Sequence, residues 1–233
     1  MKLSWRTEWP HWVLLAGMFA LAATAWGTAP DRIPVHWNIA GQVDRWGSRF
    51  EGLLAIPLLS LGIYLLMVLL PRIDPGRANY DAFSGPYSTL RLLVLAVMAV
   101  IYGLVHLWMR GVPVDIGVWV PLVVGAMFVV IGNLLGKVRP NWFVGIRTPW
   151  TLSSKLAWTR THRAGAWFFI VAGLLFMATA FAHAPWVVIG VFVVLFAGVA
   201  ALTVYSYLVW RSDPDKTPPA GTLPANDETK RGA

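Results

Sequence analysis

Cysteine is missing from the 233-residue chain, which excludes disulfides and thiolate chemistry and leaves no clue to redox compartment. Charge is scarce at 13% of residues, and acids are the scarcer sign, with 11 Asp and Glu against 19 Lys and Arg. No Gly-x-Ser-x-Gly, His-Glu-x-x-His or phosphate-loop pattern occurs, and the long apolar runs contain no Asp or Glu. Catalysis therefore has little to work with, and a proton-coupled transporter would lack its customary intramembrane carboxylate. The formal charge of +8 does not point to nucleic acid, because the cations sit in short segments between apolar runs rather than on a soluble basic face.

What the chain has in abundance is apolar length. Hydrophobic residues make up 57%, Trp alone occurs 14 times, and mean hydropathy is +0.60. That composition is characteristic of polytopic membrane proteins. A span needs about 20 apolar residues at a rise of about 1.5 Å each. Runs of that size lie at about 9–26, 52–70, 92–109 and 116–136. A longer run after Ala164 has no charge before Arg211, and His183-Ala-Pro-Trp186 divides it in two, since Pro185 suits the start of a helix and not its interior. The expected fold is thus all-α and polytopic, with six transmembrane helices over residues 1–211. Lys2 and Arg6 before the first run resemble the charged start of a secretory signal, and the full-span length that follows predicts a retained anchor.

Six spans put both termini on one side. The N-terminus, second loop, fourth loop and tail hold 15 of the 19 Lys and Arg, whereas Arg32, Arg45, Arg49 and Arg110 lie opposite. Positive-inside bias places the termini in the cytoplasm and the first loop, 29–51, outside the cell or inner membrane. In that loop Ile33 to Asn38 has an extended signature, while Asn38 to Gly41 and Asp44 to Gly47 have turn chemistry, which predicts a small extracytoplasmic cap. In the second loop Asp74-Pro-Gly76 and Ser84-Gly-Pro86 are breakers, a helix starts near Ser84 to Ser88, and Tyr80 and Tyr87 suit the wet interface. Residues 212–233 have no apolar periodicity and predict a disordered cytoplasmic tail.

The fourth loop, 137–164, departs furthest from hydrophobic statistics. It carries six Lys and Arg and no acid. Beside apolar spans, so unbalanced a segment implies an anionic neighbour, most simply lipid headgroups. Thr151 or Ser153 is the expected cap of a new helical turn, and Trp158, Thr161, His162 and Gly165 then recur at helical spacing. Lys155 and Arg160 read as cations that set topology and snorkel. Asn141, Arg147, Trp150, Trp158 and His162 together suggest a specific structural or binding role, with the Arg147 fork suited to phosphate or carboxylate.

Asn141-x-x-x-Gly145-Ile-Arg147-Thr148-Pro149-Trp150-Thr151-Leu152, with Trp158 and then Thr161-His162-Arg163, resembles the signature of the SdpI family of bacterial membrane immunity proteins. Pro34-x-His36-Trp37-Asn38-x-x-Gly41-x-x-Asp44-x-Trp46 is similar to the first loop of the same family, a domain of unknown function. The resemblance implies self-protection against a secreted, membrane-active toxin peptide and, in one branch, capture of a cytoplasmic autorepressor at the membrane. His36, Trp37, Asn38, Gly41, Asp44 and Trp46 are the candidate ligand-binding residues of the cap. The runner-up readings are a lipid or peptide transporter and an intramembrane enzyme using His36 and Asp44. No metal or cofactor is expected, because His36, Asp44, His106 and His183 have no ligand spacing and His11 and His162 fall on the other side. In the fourth span Asn133 is expected to bond a neighbouring helix.

Overall fold

The computed structural model describes residues 4–182 and 184–217. Its order is α1 (Trp5–Ala25), β1 (Arg32–Trp37), β2 (Val43–Ser48), α2 (Arg49–Ile73), a 3-10 helix (Arg77–Phe83), α3 (Ser84–Met109), α4 (Ile116–Leu135), a one-turn α5 (Pro149–Leu152), α6 (Lys155–Thr179) and α7 (Pro185–Arg211). Every expected span corresponds to a helix, and α7 starts at the expected proline. Five helices are long and apolar enough to cross a membrane. The sixth, α1, falls short because its first two turns carry Arg6, Glu8 and His11 and its apolar part begins only at Val13.

Helix α1 is held in the bundle by a polar contact instead. Arg91 on α3 reaches both carboxylate oxygens of Glu8, Nη1 to Oε2 at 3.1 Å and Nη2 to Oε1 at 2.7 Å, and Arg91 is only 1% exposed. The Tyr64 hydroxyl of α2 donates to Glu8 Oε2 at 2.8 Å. The guanidinium also lies 5.9 Å from the Tyr64 ring and 5.8 Å from the Tyr87 ring, and the buried His11 ring packs 5.5 Å from Tyr64. One carboxylate thus ties three helices together. This corrects one expectation: Arg91 is buried inside α3 and is not a loop cation available to the positive-inside rule, while Glu8 lies just before the apolar run at 9–26. Below the ion pair Leu15, Met18 and Ala22 pack with Leu53, Tyr64, Leu95, Tyr102 and Val105.

Close packing dominates the second half of the chain. Between lipid-embedded helices there is no water to expel, so association relies on close backbone approach. A Cβ on Gly125 of α4 would meet the Gly173 carbonyl of α6 at 2.5 Å, and a Cβ on Gly132 would meet the Ala166 carbonyl at 2.6 Å. Asn133, beside them, is exposed and accepts only from Lys137 one turn on, at 3.4 Å, rather than from another helix. Helix α7 packs along α6 and leaves most of its apolar surface outward, as lipid solvation permits.

The first loop is an antiparallel hairpin. Ile33, fully buried, pairs with Gly47 and sits on the backbone of α2, where a Cβ on Gly52 would come within 2.6 Å of it. The turn falls where expected: Asn38 Oδ1 accepts from Ala40 N and Gln42 N at 3.0 Å each, and Gly41 takes φ +75°. Asp44 to Gly47, read as a turn, is strand β2, because Ile33 and the α2 surface supply an apolar partner that local propensity does not register. The tail expected to be unstructured from 212 begins with an anchored piece. Asp213 is buried and accepts a hydrogen bond from the Ser154 hydroxyl, while Thr217 N and Oγ1 each donate to the Ser153 carbonyl at 3.0 Å. Residues 218–233 and His183 lie outside the described residues.

Replacing Glu8 by Ala leaves Arg91 buried without its partner, and the expected cost is roughly 3–5 kcal/mol in melting experiments on detergent-solubilised protein. The apolar pair Glu8→Met/Arg91→Met recovers most of that loss, whereas similar melting for both would show that the ion pair does not hold α1.

Candidate functional site

The fourth loop folds by satisfying its own backbone. Asn141 is buried and uses every polar atom: Oδ1 accepts from Phe143 N at 2.9 Å and Val144 N at 2.6 Å, and Nδ2 donates to the Arg139 and Val144 carbonyls at 2.8 and 2.9 Å. Four bonds from one side chain hold a turn that has no regular secondary structure. Gly145 follows with φ +111°, and a Cβ there would come within 2.4 Å of His162 Nε2. That nitrogen accepts from Ile146 N at 3.1 Å, so the ring proton is on Nδ1, which donates to the Trp158 carbonyl at 2.8 Å. The Trp158 and His162 rings stack at 4.0 Å, and Trp158 Nε1 donates to the Val138 carbonyl at 3.0 Å, tying the end of α4 to α6.

Thr148 and Thr151 cap one another. Thr148 Oγ1 accepts from Thr151 N at 3.1 Å, Thr148 N donates to Thr151 Oγ1 at 2.9 Å, and Pro149 occupies the first helical position, where no N–H is needed. Thr148 Oγ1 also lies 3.0 Å from Ser206 Oγ, and the Trp150 ring is 5.3 Å from Tyr207, so α5 is docked on α7. The caps are therefore Thr148 for α5 and Ser154 for α6, which accepts from Ala157 N at 2.9 Å; Thr151 and Ser153, the expected caps, sit inside and just after α5. Arg147 and Arg163 remain exposed. Arg147 Nη1 donates to the Trp142 carbonyl, which points the rest of its fork outward.

One organiser of this site gave no sequence motif. Asp74, buried at the end of α2, accepts from Gly76 N at 2.6 Å, from the Tyr80 hydroxyl at 2.9 Å and from Trp142 N at 3.1 Å. Asn79 Nδ2 donates to the Pro140 carbonyl at 2.7 Å. The second and fourth loops thus form one body. Tyr80, Phe83, Tyr87, Val138 and Trp158 make its core, so Tyr80 and Tyr87 are interior residues and not interfacial ones. The available signal was the Asp74-Pro-Gly76 breaker, an acid at a helix end. Between this body and the start of the tail lies an open cavity of about 910 Å³, with Arg139, Thr151, Lys155, Trp158, His162 and Asp213 in its walls.

At the opposite end of the helices the hairpin brings His36 and Asp44 together, Nδ1 to Oδ1 at 2.6 Å, because a strand irregularity beside His36 places Asp44 against it. Both are exposed. Trp46 stacks edge-on with Trp108 at 5.5 Å, while Trp37 packs into the bundle. Asn38 and Gly41 build the turn. Among the described residues no three His, Asp or Glu gather as metal ligands. Gly145→Ala is expected to be the most damaging small substitution in the motif. It forces a positive φ on alanine and displaces His162, at on the order of 3 kcal/mol, read as a fall in melting temperature that Gly85→Ala, which meets open space, does not share.

Comparison with known proteins matches residues 137–206 to the SdpI/YfhL protein family and residues 13–61 to a domain of unknown function, DUF1648. The first match begins at the end of α4 and includes the whole self-satisfied loop, and the second includes the hairpin. The immunity protein SdpI of Bacillus subtilis (strain 168) is 24% identical over 178 residues, 76% of this chain and 83% of that protein. No solved structure matches. The chain is thus similar to the SdpI/YfhL family over 137–206 and to DUF1648 over 13–61, and its long apolar helices agree with a membrane protein.

Proposed function

We propose that this protein confers immunity to a membrane-active toxin peptide, by binding rather than catalysis. The observation that carries this reading is the likeness to immunity protein SdpI over most of both chains. The protein lies in the inner or plasma membrane with both termini and the fourth loop in the cytoplasm, so the hairpin faces out. There His36, Asp44, Trp46, Asn38 and Gly41 offer an ion-paired, aromatic surface to the peptide. The body built from Asn141 to Arg163 reads that state on the inner side and presents Arg147 to an anionic surface of a cytoplasmic autorepressor.

A continuous set of contacts supports a relay between the two ends. Helix α1 leads into β1 and carries Glu8 at its other end; Glu8 binds Arg91, Arg91 lies over Tyr87, and Tyr87 packs in the core that contains Trp158. A shift of the hairpin along α1 would act directly on that core.

Two experiments test this reading. The chain has no cysteine, so single cysteines can be labelled cleanly. Gln42→Cys in the hairpin turn is expected to react with an impermeant thiol reagent in intact cells and Thr159→Cys is not, whereas the reverse pattern inverts the topology. In cells challenged with the cognate toxin, Arg147→Lys is expected to lower survival at unchanged protein level, because lysine keeps the charge but loses the planar fork, at about 1–3 kcal/mol. Arg160→Lys is expected to protect as wild type does, and wild-type protection by both mutants would remove any recognition role from Arg147.

A further inference from the structure

Helix α6 starts and α7 ends in the same layer, beside the fourth loop, and the groove between them has a composition unlike the rest of the lipid-facing surface. Its walls are Arg160, Arg163, Ala164 and Trp167 from α6 and Tyr205 from α7. Arg160 and Arg163 lie roughly 8–12 Å along α6 from its start, and Tyr205 about 9 Å before the end of α7, so the three stand at one depth. Both arginines are exposed, and among the described residues neither side chain has a hydrogen-bond or ion-pair partner. No acid occurs between Lys137 and Ser212.

Below them the same face of α6 turns apolar. Arg160, Arg163, Trp167, Val171 and Leu174 follow at helical spacing, and Trp167, Val171 and Leu174 are 73%, 52% and 55% exposed. From the start of α6 inward, the order is two unpaired cations, an aromatic ring at each wall, then an open apolar track. A phospholipid has the same order of anionic phosphate, glycerol and acyl chain. Two adjacent cations attract an anionic phosphate, and Trp and Tyr settle at the headgroup boundary.

We infer that the α6–α7 groove is a binding site for an anionic phospholipid, with the phosphate on Arg160 and Arg163 and an acyl chain along Trp167, Val171 and Leu174. The site stands apart from the immunity reading, since it needs neither toxin nor repressor. It gives Arg160 a role in which Lys is an adequate replacement, as a charged site near anionic lipid retains about the same attraction with either cation.

The test uses the full-length protein in detergent, titrated with equal amounts of phosphatidylglycerol and phosphatidylcholine, with bound lipids counted by native mass spectrometry. Wild type is expected to prefer phosphatidylglycerol at the first bound position by roughly thirtyfold, about fivefold for each cation. Arg160→Gln and Arg163→Gln each lower that ratio about fivefold, and the double variant brings it near unity. Arg72→Gln/Arg77→Gln, which removes as much charge from exposed positions at the end of α2 and just after it, retains the wild-type ratio. Equal loss in the two double variants would overturn the site by reducing it to net charge. Displacement of phosphatidylglycerol by inorganic phosphate would overturn it as well, because the ligand would then be a free anion and not a lipid.

Discussion

The bidentate contact between Glu8 and Arg91 is the interaction on which the first half of this protein depends. An ionised carboxylate in a helix bundle is tolerated only when its desolvation is offset, here by a guanidinium fork and a tyrosine hydroxyl from two other helices. Its consequence is geometric. Helix α1 is too polar in its first turns to be kept in the bundle by hydropathy alone, so its position is set by where Arg91 and Tyr64 stand. The hairpin that follows inherits that position, and its own anchor, Ile33 on the Gly52 backbone, sets the other end.

The second half relies on contact of a different kind. Gly125, Gly132 and Gly173 bring α4 and α6 to backbone contact, and the loop between those helices must then turn back within a small space. Asn141, Gly145, Trp158 and His162 solve that problem by closing nearly all of the loop's polar groups on one another. Most of the polar chemistry of the motif is thereby consumed in building a rigid body. What it presents outward is a short set of exposed groups, Arg147 and Trp142 foremost, and a cavity roofed by the first residues of the tail. Any recognition by the fourth loop has to be read from those groups and not from the buried ones.

The two halves meet at aromatic residues. Tyr87 lies under Arg91 on one side and beside Tyr80 and Phe83 on the other, in the core that Trp158 completes. The proposed relay between the hairpin and the fourth loop rests on this physical continuity. The hydrogen bond from Tyr87 to the Met67 carbonyl ties α3 to α2 at the same level.

Hydrophobic length, charge sign and turn chemistry were legible along the chain, because each acts through residues adjacent in sequence. They were enough for the helices, the break before α7, the Asn38 to Gly41 turn and the fourth-loop motif as the place where chemistry gathers. The pairing of Glu8 with Arg91 spans 83 positions and that of Asp74 with Trp142 spans 68, and no local pattern marks either. Tyr80 and Tyr87 look interfacial for the same reason, since a tyrosine in a polar loop becomes core only when a second loop closes over it. The sequence by itself determined which segments are long apolar helices and which residues form the motif. Tertiary structure alone decided which polar groups are spent on one another and which stay free, because satisfying a buried charge or amide depends on partners brought close by folding.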